Sequence, residues 1–159
     1  MTGKITSGTT SGFKIFIRSE TEDEYEKVNK VVYKAFAADY GVNAAADIVE
    51  RFKEVRKKDA FIPALSLVAL LKDGKVEDAK IVGQITLYET DIVTGSGINT
   101  QLVLSQCAVL PGYRKRGIMR EMAAFALNRA KEMGYKAVFL GGDARLYEKF
   151  GFEPSYIVD

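Results

Sequence analysis

The sequence of 159 residues contains no histidine and a single cysteine, Cys107. One cysteine excludes an internal disulfide framework and fits a reducing cytoplasm. With no histidine and no second thiol, a metal site of the usual nitrogen–sulfur kind has no ligand set to draw on, so no metal is expected. Net charge is scarce as well: 23 Lys+Arg against 21 Asp+Glu leave +2, too little for a chain that holds nucleic acid through its overall field. Long apolar runs are missing. The longest, from Ala64 to Leu71, is interrupted by Ser66 and falls far short of the ~20 residues that cross a bilayer. The first twelve residues are Gly/Ser/Thr-rich and hold no apolar h-region, so 1–12 read as a disordered tail and not as a secretory signal.

What remains is ordinary globular material, 47% hydrophobic and 28% charged, enough for one domain over 13–159 with a buried core. Residues 13–18 alternate apolar and polar and predict a first strand. Thr21 followed by Glu22, Asp23 and Glu24 predicts a helix start with a capping box; Tyr25, Val28, Val32 and Phe36 then share one helical face. A second helix is expected over 43–57, with Ile48, Val49, Phe52 and Val55 inward and Pro63 closing the helical region. Strands follow at 66–71 and 80–88, joined by a turn at Asp73-Gly74, with residues 89–94 extending the second. After Gly95-Ser96-Gly97 a strand returns over 101–109. Ile118, Met122, Ala126 and Ala130 mark a helix over 117–133, ended by Gly134. A short strand (137–140), a short helix (144–150) and a last strand (156–158) complete the order βααβββαβαβ. The class is α/β, a mixed sheet with helices against it.

The stretch Val109-Leu110-Pro111-Gly112-Tyr113-Arg114-Lys115-Arg116-Gly117-Ile118-Met119-Arg120 joins a strand to the long helix. No Ser, Thr, Asp or Asn stands there to cap that helix, so its first N–H groups are available to an anion. Arg114, Lys115 and Arg116 place three positive charges against the unfavourable end of the helix dipole, and a bound diphosphate would reverse the penalty. The residues alone also allow a solvated basic turn with an ordinary glycine.

At this point the sequence resembles the GNAT superfamily. Arg114-Lys115-Arg116-Gly117-Ile118-Met119 is similar to the family's Arg/Gln-x-x-Gly-x-Gly/Ala loop, with Met119 in place of the last small residue. Cys107-Ala108-Val109-Leu110-Pro111 resembles its strand end Leu-x-Val-x-Pro. Leu146-Tyr147-Glu148-Lys149-Phe150-Gly151-Phe152 resembles its C-terminal Leu-Tyr-x-x-x-Gly-Phe. Leu140-Gly141-Gly142-Asp143 before Tyr147 is similar to a bacterial and archaeal subgroup with a Leu-Gly-Asp segment. These motifs occupy about a third of the chain.

The resemblance implies a mostly antiparallel, twisted sheet flanked by helices, and an N-acetyltransferase domain that carries acetyl from acetyl-CoA to a primary amine. It implies that the strand over 101–109 splays beyond a bulge, so that pantetheine pairs with the backbone of Cys107, Ala108 and Val109. The pyrophosphate would lie on Arg114, Lys115, Arg116, Gly117, Ile118, Met119 and Arg120. Direct attack needs no enzyme nucleophile, and a lone strand cysteine such as Cys107 is more often core than acyl carrier. Tyr147 corresponds to the general acid that protonates the departing thiolate. Without histidine, the base is water or a carboxylate acting through it; Glu89 is the candidate, then Asp91. Asp143 is expected to cap the short helix. The acceptor pocket is expected from the two N-terminal helices, their connecting loop over 37–43 and the hairpin loops, with Tyr33, Phe36, Tyr40, Tyr88 and Glu89 available to line it. Expected partners are acetyl-CoA and an amine, with neither nucleic acid nor membrane; the family also allows a homodimer. A non-catalytic acyl-CoA sensor is the competing reading.

Overall fold

The computed structural model describes residues 9–10, 13–72, 79–142 and 144–153. The expected Asp73-Gly74 turn, the Asp143 cap and the strand at 156–158 lie outside the described residues. Ten elements follow in order: β1 (Thr9–Thr10), β2 (Phe13–Ser19), α1 (Tyr25–Tyr40), α2 (Val42–Val55), β3 (Phe61–Lys72), β4 (Lys80–Thr94), β5 (Gly97–Val109), α3 (Ile118–Glu132), β6 (Val138–Phe139) and α4 (Ala144–Tyr147). The strands form one sheet in the order β1-β2-β3-β4-β5-β6. All neighbours run antiparallel except β5 and β6. Among the described residues no helix is long and apolar enough to cross a membrane.

Periodicity explains most of this. In β2, Ile15 and Ile17 are buried, with Lys14 exposed between β2's start and the core, as expected of a strand with one core face. Leu65 through Leu71 of β3 is buried without a break, the pattern of a strand covered on both faces. On one face α3 packs against β3 and β4; on the other, Ser66 meets Glu20, which Arg56 holds, and α1 packs against the neighbouring β4 and β5. The α3 stripe predicted from spacing, Ile118, Met122, Ala126 and Ala130, is the buried face of that helix. Gly83 of β4 lets α3 approach closely, because a Cβ there would stand 2.8 Å from Met122 Cε and 3.2 Å from the Ala108 carbonyl oxygen.

Several expectations shift. Thr9 and Thr10 fall in the stretch read as a tail, yet they pair with Lys14 and Phe13 on the edge of β2. No loop over 37–43 exists: α1 runs to Tyr40, α2 starts at Val42, and Gly41 alone turns the chain with φ 88°, a conformation open to glycine at little steric cost. Pro63 lies inside β3 and does not bound it. It is exposed, and it falls where the β3–β4 register skips from Phe61–Tyr88 to Ser66–Thr86, a stretch where no ladder donor is needed. The Thr21 signal opens a 3₁₀ turn, Glu22–Glu24, ahead of α1, and the Glu24 carboxylate accepts the Thr21 N–H at 3.1 Å.

Candidate active site

The site starts from β5. Leu110 N–H donates to the Val82 carbonyl at 2.9 Å, which makes 82 and 110 a hydrogen-bonded pair. Antiparallel ladders alternate. Val109 (opposite Gly83) and Cys107 (opposite Ile85) therefore turn their N–H and C=O away from β4. On that outer side β6 pairs with β5 only at Leu102 and Val103. The Gln101 side-chain oxygen pins the start of β6 by accepting Lys136 and Ala137 N–H at 3.1 and 3.0 Å. Then the register slips: Leu87 faces Leu104, Thr86 faces Gln106, and Ser105 is the extra residue of a β-bulge. Beyond it, no described strand covers the outer edge of Cys107, Ala108 and Val109.

The loop after β5 turns back toward this edge. Lys115 has φ 63° and Gly117 φ 78°, and left-handed residues set among ordinary ones are how a short loop forms a concavity of amides. For lysine this conformation costs of the order of 1–2 kcal/mol, a strain concentrated at the loop. Gly117 stands at the N-cap of α3 with no side-chain hydrogen bond capping the helix.

A cavity of about 370 Å³ lies between the strand edge and this loop. Every residue proposed from sequence for the donor lines it except Arg116: Cys107, Ala108 and Val109 from β5, then Arg114, Lys115, Gly117, Ile118, Met119 and Arg120. Ala35, Phe36 and Asp39 of α1 close one wall, and Lys149 and Phe150 another. Arg116 lies over the Tyr113 ring, 5.5 Å from its centroid. Met119 enters as a partly buried side chain packed against the core.

Arg114 differs from its expected use. Its Nη1 donates to Asp39 Oδ1 at 2.6 Å, its Nη2 to the Ala35 carbonyl at 2.9 Å, and its Nε to the Val109 carbonyl at 3.2 Å. All three nitrogens are engaged, so the guanidinium clamps the loop to α1 and to the end of β5. The residue belongs to the cavity wall, and its side chain is committed to protein.

Cys107 is buried, and burial pushes its thiol up to about 12. A thiolate is the nucleophilic form, so Cys107 is inert core. Tyr147 is not among the residues lining the cavity; it stands in the wall of a separate groove with Gly142 and Phe152. Its ring meets Phe150 and Phe152 edge-on, at 6.4 and 6.1 Å between centroids. Burial raises its pKa, with Cys107 and Tyr40 adding to the rise. The phenol therefore keeps its proton through neutral pH.

The carboxylate candidates are not brought to the cavity. Glu89 accepts the Tyr135 hydroxyl, and Tyr135 is pushed up to about 12 by burial and by that bond. Tyr88 faces the α1/α2 side, so strand alternation turns Glu89 to the α3 side. Asp91 accepts from Thr100 Oγ1 at 2.7 Å on the exposed hairpin. A second groove, of about 570 Å³, lies on the α1/α2 side against Ile48, Arg51, Glu54, Tyr88, Ser105 and Gln106. Phe36 lines both spaces. Of the aromatics named from sequence, Phe36 and Tyr88 line this groove, while Tyr40 stacks on Phe36 at 6.1 Å and is otherwise exposed.

Residues 16–155 match the family model of the acetyltransferase (GNAT) domain. The chain belongs to the GNAT acetyltransferase family. It is 30% identical over 140 residues to YhbS of Escherichia coli K12, an uncharacterized N-acetyltransferase, spanning 87% of this chain and 74% of that one. Among solved structures, the fold is similar to a GNAT family acetyltransferase from Brucella melitensis in complex with acetyl-CoA. The TM-score is 0.66 and the identity 23%, covering 88% of this chain and 83% of the other. It is also similar to a GCN5-related N-acetyltransferase from Ralstonia eutropha, with TM-score 0.65 and 18% identity over 91% and 96% of the two chains. This GNAT protein is an acetyl-CoA-dependent N-acetyltransferase with acetyl-CoA as its co-substrate, and these relatives do not favour the sensor reading.

Proposed function

We propose that this GNAT enzyme passes the acetyl group to a primary amine of a small molecule or protein by direct attack on the thioester. The observation that carries the reading is the single cavity with two backbone walls, the outward-turned edge of β5 and the opening of α3. A diphosphate suits the helix opening, where the dipole, Lys115 and Arg120 all favour negative charge. A pantetheine arm suits the edge of Cys107, which offers N–H and C=O, and of Val109, which offers its N–H while its carbonyl accepts from Arg114 Nε. The Val109 N–H would then stabilise the oxyanion as the amine attacks. Tyr147 would give its proton to the departing thiolate, and its raised pKa keeps that proton available.

The test is calorimetry with CoA, followed by an acetyl-CoA consumption screen against polyamines, aminoglycosides, amino acids and peptide N-termini. Tyr147→Phe should lower turnover on the order of 10²-fold with the CoA dissociation constant changed less than about twofold. Because the pKa is raised, the loss of turnover from Tyr147 deprotonation should fall above the ordinary tyrosine value of ~10. Unchanged turnover in Tyr147→Phe removes the residue from the mechanism.

A further inference from the structure

Behind the second groove runs a row of buried polar side chains that no step above uses. Arg56 sits between the rings of Tyr25 and Phe52, 4.0 and 3.7 Å from their centroids. Its Nε and Nη2 donate to the two Glu20 oxygens at 3.1 and 2.7 Å, and its Nη1 to Asn29 Oδ1 at 2.6 Å. Ser66 Oγ donates to Glu20 Oε1 at 2.6 Å and lies 2.8 Å from Thr86 Oγ1. Gln84 Nε2 reaches both hydroxyls, at 3.4 Å for Ser66. Gln106 Nε2 then donates to Gln84 Oε1 at 2.9 Å. Ser66, Thr86 and Gln106 are direct cross-strand neighbours on β3, β4 and β5.

The direction of every bond follows from the arginine. Its fork makes Glu20 an acceptor, so the one hydroxyl proton of Ser66 goes to Glu20. Thr86 must then give its own proton to Ser66. Both hydroxyls have only lone pairs left, so Gln84 has to turn its nitrogen toward them and its oxygen toward β5. Gln106 must answer with nitrogen. Among the described residues its carboxamide oxygen has no further hydrogen-bond partner, and Gln106 lines the groove.

We infer that Gln106 Oε1 is the hydrogen-bond acceptor that holds an N–H of the attacking amine, with Gln84, Thr86, Ser66 and Glu20 as positioning residues that forbid the flipped amide. The inference rests on the acetyl-transfer reading and deepens it. Gln106 is one residue from Cys107, and the groove it lines shares Phe36 with the donor cavity. One N–H held by the amide oxygen leaves the nitrogen lone pair for the thioester carbon. A neutral oxygen also binds an ammonium less strongly than a carboxylate would, which suits a substrate that must lose a proton before it attacks. The acceptor class is thus a primary amine recognised through N–H donation.

The test titrates n-butylamine at saturating acetyl-CoA and follows thiol release, with CoA calorimetry alongside. Gln106→Met should raise the apparent KM for n-butylamine tenfold or more while CoA affinity stays within twofold. Ser66→Ala, remote from the groove, should reproduce part of that rise by freeing the Gln84 amide to flip. An unchanged amine KM in Gln106→Met overturns the inference. A variant-free measurement covers a Met variant that does not fold: in the wild-type CoA complex, n-butylamine should shift the side-chain amide NMR signals of Gln106 and leave those of Gln101 in place. No shift at Gln106 overturns the inference also. Absence of CoA binding to the wild type would instead sink the acetyl-transfer reading.

Discussion

Gly142 tests whether the position of Tyr147 matters to the chemistry. A Cβ on Gly142 would lie 2.8 Å from Tyr147 Cε2 and 3.4 Å from Cδ2. The backbone of Gly142 is not left-handed, so Gly142→Ala adds a methyl group without backbone strain. The ring must yield, and Phe150 and Phe152 stand edge-on to it. Moving Cε2 from 2.8 Å to the 3.4 Å of ordinary contact takes a shift of about 0.6 Å. A 1 Å misplacement of a reacting group costs on the order of 10²-fold, so this shift should lower kcat on the order of tenfold, or about 1.4 kcal/mol of transition-state stabilisation. The donor cavity does not include Gly142, so CoA affinity should stay within about twofold. The assay is steady-state thiol release with calorimetry on the same preparations. A kcat within twofold of wild type, with Tyr147→Phe strongly impaired, would refute the idea that the ring is held in one productive place.

Two further predictions concern stability. Arg56 and Glu20 have side chains 4% and 1% exposed, and removing one partner of a buried pair leaves an uncompensated charge; Arg56→Ala should cost about 3–5 kcal/mol and lower the melting temperature by roughly 10 °C, measured by urea and thermal unfolding, and a loss below about 1 kcal/mol would contradict the assignment. Glu24 is held down to about 2, first by the hydrogen bond from Arg18 and also by the Thr21 backbone N–H. A depressed carboxylate stabilises the fold above its unfolded pKa of about 4.5 and loses that contribution as pH falls toward 2. Because Arg18 is partly exposed, the contribution is set at about 1 kcal/mol, and Glu24→Gln should flatten the acid limb of stability between those pH values.

How much was legible follows from the range of each interaction. Elements fixed by periodicity within a few residues, such as the α3 stripe and the first strand, were readable from spacing. So was the loop before α3, because its glycine, its cations and its missing cap are all local. Asp39 was not, since it meets Arg114 from 75 residues away, and nothing local distinguishes a clamped arginine from a free one. The side to which Glu89 turns was hidden for a related reason. Its strand was evident, but which face it takes depends on what covers each side. Gln106 carried no signal, because its role comes from two strands beyond its own.

The bulge at Ser105 ties these features together. Continuing the outer register, in which Leu87 faces Leu104, without an extra residue would set Ser105 opposite Thr86. Gln106 would then turn to the opposite face, away from Gln84 and the α1/α2 groove, since a one-residue slip exchanges faces. The inserted residue restores Gln106 to the row with Thr86 and Ser66. The same insertion bends β5 just past its last pairing with β6 at Val103, which leaves the edge of Cys107 and Val109 open to a donor. One residue therefore sets two conditions that a two-substrate transfer needs, an uncovered strand edge for the thioester arm and a directed acceptor for the amine. Neither condition can be removed by deleting Ser105 without disturbing the other, which is why the side-chain substitution at Gln106, and not a change in the bulge, separates them.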